Sequence, residues 1–184
     1  MKQKQKFLQS IPSILCDPVT GLKASNETEL SALLSYYHSR GSVDWSCVNL
    51  YKPKSDKGKY LASEYIDKSA SLFCEYPLFS NAETVNIWGG MPADLLSFSE
   101  NKIVLIENKI GSKFTSAGTQ LMRQAEYVDS SHFDNKVLIV LTSKVFLSKG
   151  WYLDEMIAVK EAFPELQVFG MHWEEIFNAI SLKS

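Results

Sequence analysis

The 184-residue sequence predicts an α/β domain built on a mixed central sheet of about four to five strands flanked by helices. Three observations lead there. Two runs of consecutive aliphatic residues, Ile103-Val104-Leu105-Ile106 and Val137-Leu138-Ile139-Val140-Leu141, have the pattern of strands buried on both faces. Between them Ala117, Leu121, Ala125 and Val128 recur at helical spacing, so a helix links the two strands as a crossover. Upstream, the turn Ser99-Glu100-Asn101-Lys102 separates two apolar runs, 93–98 and 103–109, which pair as a hairpin. A hairpin joined to a crossover strand makes the sheet mixed.

The elements come in order along the chain. Asn26 starts a helix with capping-box spacing to Glu29, and Leu30, Leu33, Leu34 and Tyr37 form its apolar stripe until Gly41 ends it. Residues 51–59, with Lys52, Lys54, Lys57 and Lys59, read as a basic surface loop. A second helix is expected over about 60–73, and strands over 84–88, 93–98 and 103–109. A helix over 116–130, a strand over 136–142, a helix over 151–163, a strand over 167–171 and a helix over 173–181 complete the chain. The expectation is one domain, 1–184, with an N-terminal helical part at 1–75 and a core at about 83–142.

Composition narrows the class. Apolar residues at 45% and charged residues at 22% are ordinary for a globular protein and argue against a disordered, fibrous or membrane chain. Residues 1–6 are basic, but Gln9, Ser10, Pro12 and Ser13 interrupt the apolar residues of the 7–15 stretch. No secretory signal is therefore read, and a cytoplasmic location, with no membrane partner, is expected. Cys16, Cys47 and Cys74 are odd in number and form no Cys-x-x-Cys pair, which excludes a zinc or disulfide framework as the expectation. With a net charge of −2, any contact with nucleic acid must come from a local patch.

The residues that carry chemistry sit on the hairpin. Pairing of its two runs brings Asp94 beside Glu107, with Lys109 two residues on. Two carboxylates and an ammonium in a partly buried position are costly unless a divalent cation and an anionic substrate share the charge. A hard, oxygen-preferring ion such as Mg²⁺ fits. Asp134-Asn135-Lys136 repeats the acid-x-Lys pattern but precedes its aliphatic strand instead of closing it, and reads as a turn. His38, His132 and His172 are isolated. No Gly-x-Ser-x-Gly or phosphate-binding Gly-rich loop is present.

An Asp, about a dozen residues, and then Glu107-Asn108-Lys109 closing an aliphatic strand resembles the PD-(D/E)XK, or restriction-endonuclease-like, nuclease superfamily. The resemblance extends to Gly89-Gly90-Met91-Pro92-Ala93-Asp94 and to Gln120-Leu121-Met122-Arg123, covering about 83–142. It departs from the pattern in the residue inserted between Pro92 and Asp94. It implies a restriction-endonuclease-like core and hydrolysis of phosphodiester bonds with Mg²⁺ (or Mn²⁺). A deoxyribonuclease of bacterial or phage defence, restriction or repair is the expectation, with nucleic acid, chiefly DNA, as partner and a homodimer allowed. Asp94 and Glu107 would ligate the metal, with the Asn108 backbone carbonyl as a third ligand. Lys109 would orient the attacking water and offset phosphate charge. Asp94, Glu107 and Lys109 are thus the catalytic set.

Members of the superfamily often add an early-helix Glu. At roughly 100° per residue, Glu27 lies nearer the centre of the Leu30, Leu33, Leu34, Tyr37 stripe than Glu29 does, whereas Glu64 falls on a solvent face. Glu27 is therefore the candidate, its alternative being a first-turn acid that complements the helix dipole. Gln120, Arg123 and Tyr127 share one flank of the next helix and are candidates for substrate contacts; an ordinary half-exposed flank is the alternative. For the protein as a whole, the alternative is a catalytically silent nucleic-acid-binding or protein-interaction module on the same fold.

Overall fold

The structure is a computed structural model, and it describes residues 2–13, 15–53, 58–78, 92–111, 119–147 and 151–180. Seven strands form one mixed sheet: β1 (Asn49–Tyr51), β2 (Tyr60–Leu61), β3 (Leu72–Pro77), β4 (Pro92–Ser99), β5 (Lys102–Lys109), β6 (Asn135–Thr142) and β7 (Gln167–His172), in the spatial order β2-β1-β7-β6-β5-β4-β3. The helices are α1 (Lys2–Ser10), α2 (Glu27–Ser39), α3 (Thr119–Asp129), α4 (Lys144–Leu147), α5 (Trp151–Ala162) and α6 (Trp173–Ala179). No helix among them is long and apolar enough to cross a membrane.

β5, β6 and β7 are parallel to one another, and the remaining neighbours are antiparallel. Both crossovers, β5-α3-β6 and β6-α5-β7, step the same way along the sheet, so α3 and α5 share a face. β5 and β6 are covered on both sides and buried almost throughout, which is why their sequences are continuous aliphatic runs. α2 and α6 cover the opposite face. Successive strand side chains alternate faces, and Asn108 is bonded to Ser31 of α2 and Trp173 of α6, whereas Glu107 is bonded to Gln120 and Gln124 of α3. α1 joins the α2/α6 layer by stacking Phe7 on Phe177, centroids 6.0 Å apart.

Local signals place the hairpin and α2. The β4–β5 ladder runs from Leu95↔Ile106 to Ser99↔Lys102, leaving Glu100 and Asn101 as the turn. Asn26 Oδ1 accepts from Glu29 N at 2.8 Å, and Glu29 reaches back to Ser25 N at 2.6 Å. At the other end Gly41, at φ +64°, donates to His38 O while Ser42 N bonds Tyr37 O, the paired closure that favours glycine.

The sheet is wider than the four to five strands expected, and the chain before residue 78 is not purely helical. The expected helix over 60–73 is replaced by β2, a 3-10 turn at Ala62–Glu64 and the start of β3. Ala62 and Ile66 are buried at helical spacing, but a single turn, Ile66 N to Ala62 O, satisfies that spacing. Asp67 Oδ1 then takes Ser69 N and Ser69 Oγ, a local bond that competes with helix continuation. Glu64 is exposed as expected, but in a 3-10 turn and not on the helix from which its angle was taken. The strand expected at 84–88, the lead-in at 89–91, helix positions 116–118 and loop residues 54–57 lie outside the described residues. The three cysteines are free thiols. His38 is a bonded core residue, held by Trp45 Nε1 at 3.0 Å and Ala70 O at 2.7 Å.

Candidate metal and phosphodiester site

The site forms where β4 leaves β5. Pairing between them stops at Leu95↔Ile106, while β4 stays paired to β3 as far as Pro92↔Pro77. One residue beyond the last β4–β5 pair, Asp94 stands opposite Glu107, on the same face of the sheet. Backbone N–H groups at the end of β5 and just beyond it are taken by carboxylates instead of a strand partner. Asp94 Oδ2 accepts from Asn108 N at 2.7 Å, and Glu27 Oε1 accepts from Ile110 N at 2.7 Å. In an extended strand a residue's carbonyl points to the same edge as its N–H, so the Asn108 carbonyl faces the gap that Asp94 borders.

Glu107 is fully buried and held from three directions. Gln120 Nε2 donates to its Oε1 at 2.6 Å, Gln124 Nε2 to its Oε2 at 2.5 Å, and Lys109 Nζ lies 2.6 Å from Oε1. Gln120 and Gln124 are four residues apart on α3 and so present their amides together. They belong to the buried side of that helix, among Leu121, Ala125 and Val128, all of zero exposure. Each carboxylate oxygen has two acceptor positions, and Oε2 uses one of them on Gln124.

Asn108 anchors the other face. Its Nδ2 donates to Glu27 O at 2.9 Å and to Ser31 Oγ at 3.0 Å, and its Oδ1 accepts from Trp173 Nε1 at 2.8 Å. The first turn of α2 is thereby fixed on β5, which sets the position of Glu27.

A fourth acid, Glu75, was not anticipated from the sequence. It lies between Cys74 and Tyr76, which pair with Leu95 and Ala93, and so stands beside Asp94 on the next strand. Its φ of 52° is the only positive value among the described non-glycine residues, a conformation costing about 1–2 kcal/mol. No sequence signal marks it. Gln124 could have been found, since it falls within the apolar stripe of α3; the Trp173 contact, from the far end of the chain, could not.

Charge at the site is unbalanced. Burial first, and then the nearby Glu107, push Asp94 up to about 8, against the Asn108 N–H and Lys109; Glu75 adds to the rise. Burial also raises Glu107, opposed by Lys109 and Gln124. For Lys109 burial alone would lower the ammonium, but Glu107, Glu27 and Asp94 outweigh it and the net direction is up. The ammonium is therefore charged, and the carboxyls repel one another.

Among the described residues no group of three or more His, Cys, Asp or Glu side chains is placed to hold a metal ion by itself. The donors present are those of an open site: Asp94, the remaining acceptor position of Glu107, the Asn108 carbonyl and, at the margin, Glu27. Mg²⁺ is commonly held by one or two carboxylates with water completing the octahedron, so this donor set fits such an ion. Of the residues expected to meet substrate, Gln120 is buried and bonded to Glu107, which makes it a positioning residue for that acid. Arg123 and Tyr127 are half-buried on the α3 flank. Burial, and then Tyr76 of β3, raise the Tyr127 phenol. No protein-family model matches the chain, and no curated protein matches it in sequence.

Proposed function

We propose that the protein is a Mg²⁺-dependent nuclease of the restriction-endonuclease-like type, hydrolysing phosphodiester bonds, with DNA as the expected substrate. One observation carries this reading. Asp94 and Glu107 face each other at the point where β4 and β5 part, and Lys109 lies 2.6 Å from Glu107 Oε1. A buried and a half-buried carboxyl sharing one ammonium are hard to rationalise as a stabilising device; a cation and a phosphate give them a purpose.

Phosphodiester hydrolysis needs an activated water and relief of charge on the non-bridging oxygens and on the leaving oxygen. Held by Asp94, Glu107 and the Asn108 carbonyl, the metal would supply Lewis acidity and a lowered water pKa. Lys109 orients the attacking water and offsets the charge of the phosphoryl oxygens. Glu107 fixes the Lys109 ammonium, and Gln120 and Gln124 fix Glu107, so the lysine is preorganised before substrate arrives.

Incubation with single-stranded, duplex and branched DNA and with RNA, each in Mg²⁺, Mn²⁺ or EDTA, tests the proposal. Cleavage in either metal and none in EDTA is expected. Absence of cleavage on every substrate would remove the reading.

A further inference from the structure

The face of the sheet that carries Asp94 and Glu107 continues into an exposed aromatic surface. Asp94, Leu96 and Phe98 alternate onto that face of β4, so Phe98 stands about 13 Å from Asp94 along the strand. Phe98 stacks on Phe73 of β3 with centroids 5.4 Å apart and planes at 19°, and Phe133 lies 6.3 Å from Phe98. His132 stacks on Phe133 at 4.3 Å. Tyr76 joins the group at 5.8 Å from Phe73 and 6.3 Å from Phe98. Strict alternation would put Phe73 and Tyr76 on opposite faces. The left-handed Glu75 between them breaks the alternation and lets both rings meet Phe98.

Phe73 and Phe98 are 40% and 39% exposed, the two aromatics among the exposed large apolar side chains of the described residues. The acids and the strip share β4, which carries both Asp94 and Phe98, while Gln120 of α3 holds Glu107. We infer that Phe73, Phe98, Phe133 and His132 form a stacking platform for the unpaired bases of a single-stranded nucleic acid whose backbone reaches Asp94 and Glu107. This rests on the nuclease reading and names its substrate class.

Three features select that occupant. Every base has a π face, and aromatic rings bind it without regard to sequence, whereas in a duplex those faces are stacked away. Phosphate contacts supply most of the affinity for a duplex, and at a net charge of −2 a larger share of binding falls to stacking, which only unpaired bases offer. A second copy adding a strand at the β3 edge is opposed by the Glu75 kink and by Pro77 in that edge strand.

Fluorescence anisotropy in EDTA, where no cleavage occurs, tests the platform with labelled oligo-dT, oligo-rU and a hairpin duplex of equal length. Oligo-dT or oligo-rU should bind more tightly than the duplex, and the two arms separate DNA from RNA. Phe98→Leu and Phe73→Leu keep apolar bulk but lose the π face. Each should weaken single-strand binding by about five- to a hundredfold, leave duplex binding unchanged and leave the melting temperature near wild type; Phe98→Tyr should bind within about twofold of wild type. Equal affinity for single strand and duplex, or wild-type binding by both Leu variants, overturns the platform. So does sedimentation showing a dimer that Phe98→Leu dissociates, since the surface would then join two copies. Ring-dependent single-strand binding without metal-dependent cleavage would retain the platform and reject the nuclease; metal-dependent cleavage without ring dependence would do the reverse.

Discussion

Trp173 Nε1 donates to Asn108 Oδ1 at 2.8 Å across 65 residues of sequence, tying the last helix to the strand that carries Glu107 and Lys109. Both groups are buried. Trp173→Phe keeps most of the ring but leaves Asn108 Oδ1 without its donor, which should lower stability by about 1–3 kcal/mol. Urea unfolding checks this; an unchanged midpoint would show that the bond does not anchor α6.

Asp94→Asn, Glu107→Gln and Lys109→Ala should each abolish cleavage, but their stabilities should differ. In metal-free protein Asp94→Asn replaces a carboxyl whose ionised form burial and Glu107 disfavour, and keeps an acceptor for the Asn108 N–H, so its melting temperature should equal or exceed that of wild type. Glu107→Gln sets its NH2 against Gln124 Nε2, or against Gln120 Nε2 and Lys109 Nζ, and removes the acid that pairs with Lys109, a loss of several kcal/mol. Calorimetric melting in EDTA separates the two, and equal melting temperatures would contradict the hydrogen-bonding described for Glu107.

The metal-free protein should lose stability as pH rises because of Asp94. Its folded-state pKa, about 8, lies above the ordinary aspartate value of 3.8, so the folded state binds more protons than the unfolded chain between those limits. Stability from this group is therefore fully present below the lower limit and is lost as pH rises through the upper one. In EDTA the melting temperature of wild type should fall relative to Asp94→Asn between pH 5 and 9. Mg²⁺ favours the ionised form and should reduce the fall. Parallel profiles in EDTA would contradict the burial and repulsion assigned to Asp94.

Glu75→Gly relieves the left-handed backbone, worth about 1–2 kcal/mol, against an unfolded-state entropy loss of about 0.5–1 kcal/mol. A small net rise in melting temperature is expected, whereas Glu75→Ala, which keeps a Cβ, should give none. Destabilisation by Gly would show that the Glu75 side chain itself holds the strand.

The legible part of this molecule was local. Two aliphatic runs around a two-residue turn set Asp94 against Glu107, the Asn26 cap and Gly41 closure bound α2, and the Leu121, Ala125, Val128 stripe gave the buried side of α3. The strands β1 and β2, of three and two residues, are too short to show a period. The Ala62 and Ile66 spacing is the same in one turn as in a long helix. The contacts that complete the site, Trp173 to Asn108 and Glu27 to Ile110, span 65 and 83 residues and depend on packing that no window of sequence contains.

Cleavage of a labelled single-stranded oligonucleotide by folded wild type and folded Asp94→Asn, each in Mg²⁺ and in EDTA, bears most directly on the assignment of Asp94 and Glu107 as metal ligands. Cleavage by wild type in Mg²⁺ alone, with none by Asp94→Asn in either condition, is the result expected. Cleavage that persists in EDTA, or that survives Asp94→Asn at near wild-type rate, would contradict it.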